Sequence, residues 1–203
     1  MRRAAMAALL LIALAALGFA GISALKHGAP PLDDFGPVGD FSLSERSGHT
    51  VTNTDLAGKV WVASFVFTRC TGPCPQVTGT VARAQDAFRD EPDVRLVTFT
   101  VDPERDDPDE LKKYADHFGA DPERWLFLTG PEEKIDRLLI EQFHVGVERG
   151  KPEVTHSTRL ALVDRRGHVR GYFDGRQVDD LGQRVDELPK LRQAVAVLLR
   201  EKP

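Results

Sequence analysis

Cysteine is nearly absent from this chain: its 203 residues hold two, Cys70 and Cys74. Two cysteines cannot frame a disulfide-rich scaffold. A basic excess is also missing. The formal charge is -4, which argues against a nucleic-acid binder. Disordered and collagen-like compositions are excluded too, because 41% of residues are hydrophobic and 29% charged. No internal repeat and no low-complexity tract follows the first 25 residues. A chain of this length makes one domain or two small ones. What remains to explain is the cysteine pair, four positions apart. It can make one local bridge, one redox pair, or part of a small metal site.

The long apolar run is at the start. Residues 4–25 carry no charge and are mostly Ala, Leu, Ile, Phe or Met. As a helix they span roughly 33 Å, about one bilayer core. Arg2 and Arg3 precede the run and are expected to stay cytoplasmic, with the rest of the chain outside. A cleaved signal peptide is the alternative, with Gly18-Phe19-Ala20 as a poor cleavage site. The run exceeds the usual h-region of roughly 7–15 residues, which favours an anchor over residues 1–25. Either way the domain is exported. No cysteine is available there for a lipobox, so a lipid-modified anchor is not expected. Beyond Leu25 the chain holds 25 basic and 31 acidic residues, net -6, with no basic stripe for nucleic acid or anionic lipid. Residues 26–38 carry Gly28, Pro30, Pro31, Gly36 and Pro37 and read as an extended linker. The globular domain is then expected over 39–203.

Within that domain, strand and helix patterns alternate. Phe41-Ser42-Leu43 and Val51-Thr52 flank the Ser47-Gly48 turn as a short hairpin. Val60–Thr68 is a nearly unbroken β-branched and aromatic run, as in a central buried strand. Val77–Asp90 has Val77, Val81, Ala84 and Phe88 at helical spacing. Val94–Val101 is a second buried strand. Asp107 or Asp109 can cap a helix that ends near Phe118 and Gly119. Trp125–Thr129 is a short strand, and Pro131 opens a helix carrying Ile135, Leu138, Leu139 and Phe143. Thr158–Asp164 and His168–Phe173 form a closing hairpin, and Leu188–Leu199 a final amphipathic helix. This order predicts an α/β fold with a largely parallel sheet, flanked by helices and finished by an antiparallel edge. It is the thioredoxin-like arrangement, with an N-terminal hairpin and one N-terminal transmembrane helix.

The cysteines follow the first buried strand, at the sheet edge where ligand sites gather in open α/β folds. The sequence there is Thr68-Arg69-Cys70-Thr71-Gly72-Pro73-Cys74-Pro75. A following helix N-terminus favours thiolate, the form that binds metal or attacks disulfides. Three intervening residues, against two in thioredoxin-type oxidoreductases, open the angle between the sulfurs. Two thiolates at a wide angle suit a soft ion such as Cu(I). One turn of separation also keeps the Cα atoms near disulfide range. Copper binding, thiol–disulfide exchange and a structural disulfide therefore all remain open on spacing alone.

A further ligand has to come from elsewhere. His27 is in the linker, His49 in the first hairpin, His117 on a helix beside Phe118, His144 at a helix end and His168 in the closing hairpin. His156 differs, because it follows the Gly150–Pro152 loop and immediately precedes a buried strand. In a thioredoxin-like topology that loop faces the cysteine loop.

Taken together, FVFTRCTGPCP, TFTVDPERDDPDELKKY, WLFLTG and THSTRLALVDRRGHVRGYF resemble, in order, the motifs of the Sco/SenC family of copper-binding assembly factors for cytochrome c oxidase. The resemblance covers about residues 35–200. It implies one copper, as Cu(I) or Cu(II), held by Cys70, Cys74 and His156. It implies a role at the binuclear copper centre of oxidase subunit II, either delivering the metal or preparing the thiols. Exchange with other copper-delivery proteins is implied as well. Asp102 looks like an acidic position beside that site, able to tune or orient a neighbour. The chain is then expected in the cytoplasmic (inner) membrane as a single-pass protein with its domain on the exported side, a metallochaperone more than an enzyme. It departs from the family at Thr71, where proline is common, and in a short loop over 146–155. The rival reading is a membrane-tethered thiol–disulfide oxidoreductase using the Cys70/Cys74 pair. Such enzymes usually carry a cis-proline where this chain has Thr155-His156.

Overall fold

The computed structural model describes residues 31–149 and 154–201, and of residues 148, 149 and 154–156 the backbone alone. The expected anchor over residues 1–25 lies outside the described residues. Among those described, no helix is long and apolar enough to cross a membrane.

The sheet grows from its most apolar strands. β3 (Val60–Val66) is buried at every position, and β4 (Val94–Thr100) runs parallel beside it. β5 (Trp125–Thr129) adds in parallel on the far side of β4. The hairpin β1 (Ser42–Glu45) and β2 (Thr50–Thr52) joins antiparallel to β5. The hairpin β8 (Arg159–Val163) and β9 (Val169–Asp174) joins antiparallel to β3. The order is β2-β1-β5-β4-β3-β8-β9. The sheet is therefore mixed rather than largely parallel. Parallel pairing is confined to the three strands joined by helical crossovers. Both margins are hairpins, whose short turns permit only antiparallel pairing.

Helices cover both faces. α1 (Cys74–Ala87) and α2 (Pro108–His117) are the crossovers, and α4 (Leu188–Arg200) packs against α1, β3 and β9. The Asp107 side chain caps α2 by accepting from Glu110 N at 2.9 Å. Thr98 and Phe127 are register partners, and Tyr114 of α2 meets Phe127 edge-on. Phe99, the next residue along, therefore points to the opposite face. There Phe99, Trp61 and Phe65 surround Phe143 with ring centroids 5.1–5.9 Å from it. Phe143 follows α3 (Glu132–Arg137), which widens into a π-helical stretch over Leu138–Gln142. Its N–H donates to the Leu138 carbonyl at 3.1 Å, a five-residue span.

One further sheet was not expected from sequence. β6 (Val147–Arg149) and β7 (Val154–His156) pair antiparallel, so the short loop expected over 146–155 contains a hairpin.

Leu32–Val38, expected within the linker, lies along β9. Phe35 N donates to Val169 O, Val169 N to Gly36 O and Val38 N to Gly167 O, each within 2.9 Å. Buried Arg170 donates to the carbonyls of Asp33 and Leu32, and its Nη1 pairs with Asp164 and Glu201. His168, at the start of the closing hairpin's second strand, has Nδ1 3.0 Å from Asp34.

Asp164 gives this seam a pH dependence. Burial opposes its charge. Donation from His168 N, from Arg170 and from Arg166 N outweighs burial and holds the carboxyl below its ordinary value. A depressed carboxyl contributes stability above the unfolded pKa of about 3.9 and loses it as pH falls through the lower folded value. Asp164→Asn keeps an acceptor for the two backbone donors but removes the Arg170 ion pair. It should cost about 1.5–3 kcal/mol at pH 7. Urea denaturation of variant and wild type should show that gap closing below about pH 4. A gap independent of pH would assign the loss to packing instead.

Candidate metal centre

β3 delivers the cysteine loop, and α1 begins inside it. Sequence periodicity starts the helix at Val77, but the first turn reaches back to Cys74. The N-cap is Pro73, whose carbonyl accepts from Gln76 N at 2.9 Å and Val77 N at 3.1 Å. Pro75 fits this first turn because its missing N–H would have had no partner in the helix. Cys70 stays in the loop, with its N–H donating to the Phe67 carbonyl at 3.3 Å.

The two cysteines are thiols, not a disulfide. Cys74 is fully buried and Cys70 half-buried, while Thr71 and Gly72 between them are exposed. The pair thus has one sulfur in the wall of the fold and one at its opening. The thiols share a hydrogen bond. That bond first, and burial second, hold the Cys74 proton far above the ordinary thiol range. A metal arriving here must displace that proton, so binding releases acid.

Buried and half-buried polar groups hold the loop at both ends. At its start, Thr68 N donates to Asp106 Oδ2 at 3.1 Å and Thr68 Oγ1 to Oδ1 at 2.6 Å. Thr100 Oγ1 donates to Asp106 Oδ2 at 2.6 Å. Asp106 is 1% exposed, and burial pushes its carboxyl up despite these donors. At the other end, Thr78 Oγ1 donates to the Cys74 carbonyl at 3.0 Å and is 2.8 Å from the Tyr114 hydroxyl. Burial raises the Tyr114 phenol. Gln76 Oε1 accepts from the N–H groups of Gln177 and Val178, tying the segment after β9 to the first turn of α1.

Asp102 lies at the same edge. Its carboxylate pairs with Arg105 Nη1 at 3.1 Å, and its carbonyl accepts from Arg105 N and Asp106 N. It forms the turn that delivers Asp106, and its charge is among those pushing the Asp106 carboxyl up. His156 is described by its backbone: it ends β7 opposite Val147, three residues before β8. The antiparallel register of β8 on β3 brings the start of β8 to the edge where β3 ends. Among the described residues, no group of three His, Cys, Asp or Glu side chains is placed to hold a metal ion. The other described histidines take local roles. His49 is 3.4 Å from Ser47 Oγ, His117 packs edge-on against Phe118, His144 has φ 50°, and His168 pairs with Asp34.

Asp106, Tyr114, Thr78 and Gln76 were not singled out from sequence. Asp106 is one of five acids in DPERDDPD, and composition does not distinguish them. The available signal was a threonine at the end of each buried parallel strand, Thr68 and Thr100. Chemically, the pair offers two soft sulfur donors on a loop already folded around them. They can hold a thiophilic ion such as Cu(I) or join as a disulfide.

Comparison with known proteins adds the following. The profile of the family described as SCO1/SenC matches residues 32–191. The chain is 34% identical over 142 residues to the SCO1 protein homolog of Bacillus subtilis, covering 68% of this chain and 74% of that protein. The structure of BsSco, described as a member of the Sco family of cytochrome c oxidase assembly proteins with a disulfide switch, superposes with a TM-score of 0.75 at 28% identity. That match covers 86% of this chain and 100% of that one. Copper-bound ScoI from Arabidopsis thaliana superposes with a TM-score of 0.66 at 26% identity, over 80% of this chain and 99% of the other.

Proposed function

The chain belongs to the SCO1/SenC family, and from that premise we propose that it is a membrane-tethered copper carrier holding one copper through Cys70, Cys74 and His156. Its acceptor is the binuclear copper centre of cytochrome c oxidase subunit II, with the domain on the exported side of the cytoplasmic membrane. The observation that carries the reading is the Cys70/Cys74 dithiol, one sulfur buried and one at the opening, at the sheet edge where β8 starts, three residues after His156. Copper is cargo here. The two thiols give up protons as it arrives, and the imidazole completes a low-coordinate set suited to Cu(I). The half-buried sulfur and the exposed Thr71-Gly72 give an acceptor thiol access, so transfer proceeds by exchanging one ligand at a time.

Competition titration of the reduced domain against a chromophoric Cu(I) chelator tests the ligand set. We expect one copper per chain in the wild type. His156→Ala should weaken it by more than the roughly 10–100-fold seen when a group that only supports a metal site is removed. If His156→Ala binds copper like the wild type, the three-ligand site is wrong.

The disulfide switch described for BsSco favours one second reading, a thiol–disulfide oxidoreductase acting through the same pair. Brisk reduction of insulin disulfides by the domain would move that reading to first place.

A further inference from the structure

We infer that Asp106 is the positioning residue of the cysteine loop, gripping Thr68 so that Cys70 is presented to the metal. The inference rests on the copper-carrier reading and deepens it.

Three features carry the assignment. Asp106 is 1% exposed, and a carboxylate in such a place is stable only when its lone pairs are occupied. All three of its donors come from the chain ends that make the site: Thr100 closes β4, and Thr68 lies two residues past β3. Thr68 supplies its N–H and its hydroxyl, and Thr100 its hydroxyl, at 3.1, 2.6 and 2.6 Å. These strands are already parallel neighbours up to Val66 and Thr100, and Val101 N continues the ladder by donating to Val66 O at 2.9 Å. Beyond Val66 the chain leaves β3 for the cysteine loop. There the Asp106 carboxylate accepts from Thr68, two residues before Cys70.

The neighbouring acid does a different job. Asp102 is turned toward Arg105, whose side chain is 52% exposed, and it caps the turn with its own carbonyl. Of the two buried carboxylates in this turn, Asp106 bonds the strand that bears the cysteines. Loop position at the other end is set separately, by Thr78 on the Cys74 carbonyl. Removing Asp106 should therefore loosen Cys70 more than Cys74.

The test uses Asp106→Ala and Asp106→Asn, with the wild type alongside. Asparagine keeps an oxygen for Thr68 N, and its amide can donate to a threonine hydroxyl, so geometry survives while charge is lost. Two readouts are needed. In the metal-free domain, exchange of the Thr68 amide hydrogen should be about tenfold faster in Asp106→Ala, as for a lost hydrogen bond, and near wild type in Asp106→Asn. In the reduced domain, Cu(I) affinity should fall by about 10–100-fold in Asp106→Ala and stay within about threefold in Asp106→Asn. Faster Thr68 exchange with unchanged copper affinity would overturn the inference, since the grip would then not matter for the metal. Equal weakening by both variants would also overturn it, because charge rather than position would be at work. A wild-type domain that binds no copper would instead sink the carrier reading. The amide-exchange result would then still say whether Asp106 holds the loop.

Discussion

Cys74→Ser is expected to lower the Cu(I) affinity of the reduced domain by more than about 100-fold, and Cys70→Ser by a comparable factor. Removing groups that merely support a metal site already costs 10–100-fold, so loss of a donor sulfur has to exceed it. Serine is close to cysteine in size, but its hydroxyl is a hard donor that stays protonated at neutral pH, and Cu(I) prefers soft sulfur. The two variants should separate on stability, not on copper. Cys74 is fully buried in the first turn of α1, within the hydrophobic core. A hydroxyl is costlier to bury there than a thiol, by about 0.5–2 kcal/mol where its hydrogen bonding is only partly kept. Cys70 is half-buried at the opening, and serine there should leave the denaturation midpoint nearly unchanged. Chelator competition gives the first quantity and urea denaturation the second. Either single variant binding copper within threefold of wild type would sink the dithiolate site. Equal stability losses would mean that the two sulfurs do not differ in setting as described.

How far this was legible in sequence depends on how many residues carried each signal. β3, β4 and β5 each announce themselves through long apolar runs, and observed bounds differ from expected ones by at most two residues. The start of α1 was not legible, because the first turn is held by proline chemistry at Pro73 and Pro75 rather than by an apolar stripe. The β6–β7 hairpin was invisible for a related reason: three-residue strands such as Val-Glu-Arg have too few positions to show a period of two. At the site, the cysteines stood out by rarity alone. Asp106 did not, since what sets it apart from Asp102 is which way the turn aims each carboxylate. That direction exists only after β3 and β4 pair in parallel and bring Thr68 and Thr100 to one carboxylate. That an acidic loop lies beside the cysteine loop was legible only through the family resemblance. The grip between them was not.

The π-helical stretch carries the largest expected effect on folding. Phe143→Ala should destabilise the domain by about 3–5 kcal/mol, the range for deleting a buried aromatic ring. Its ring is fully buried, edge-on to Trp61 and Phe65 and tilted against Phe99. Its carbonyl also accepts from the Tyr172 hydroxyl at 2.9 Å, so backbone and side chain both anchor the stretch to the sheet. In sequence, Ile135, Leu138, Leu139 and Phe143 fit an ordinary α-helical stripe, which hides the wider turn. Ile140, between buried Leu139 and exposed Glu141, is left 48% exposed. Ile140→Ala therefore serves as the matched control and should cost no more than about 0.5 kcal/mol. For a domain of this size, 3–5 kcal/mol corresponds to a fall of roughly 6–20 °C in Tm. It is also a large share of the 5–15 kcal/mol that typically separates folded from unfolded chains. Urea denaturation and thermal melting of the two variants decide the point. Equal losses from Phe143→Ala and Ile140→Ala would mean that the widened turn does not aim Phe143 into the sheet. A loss confined to Phe143→Ala, with Cu(I) binding retained by the folded fraction, would place this aromatic cluster in the scaffold beneath the cysteine loop and leave presentation of the sulfurs to the polar grip above it.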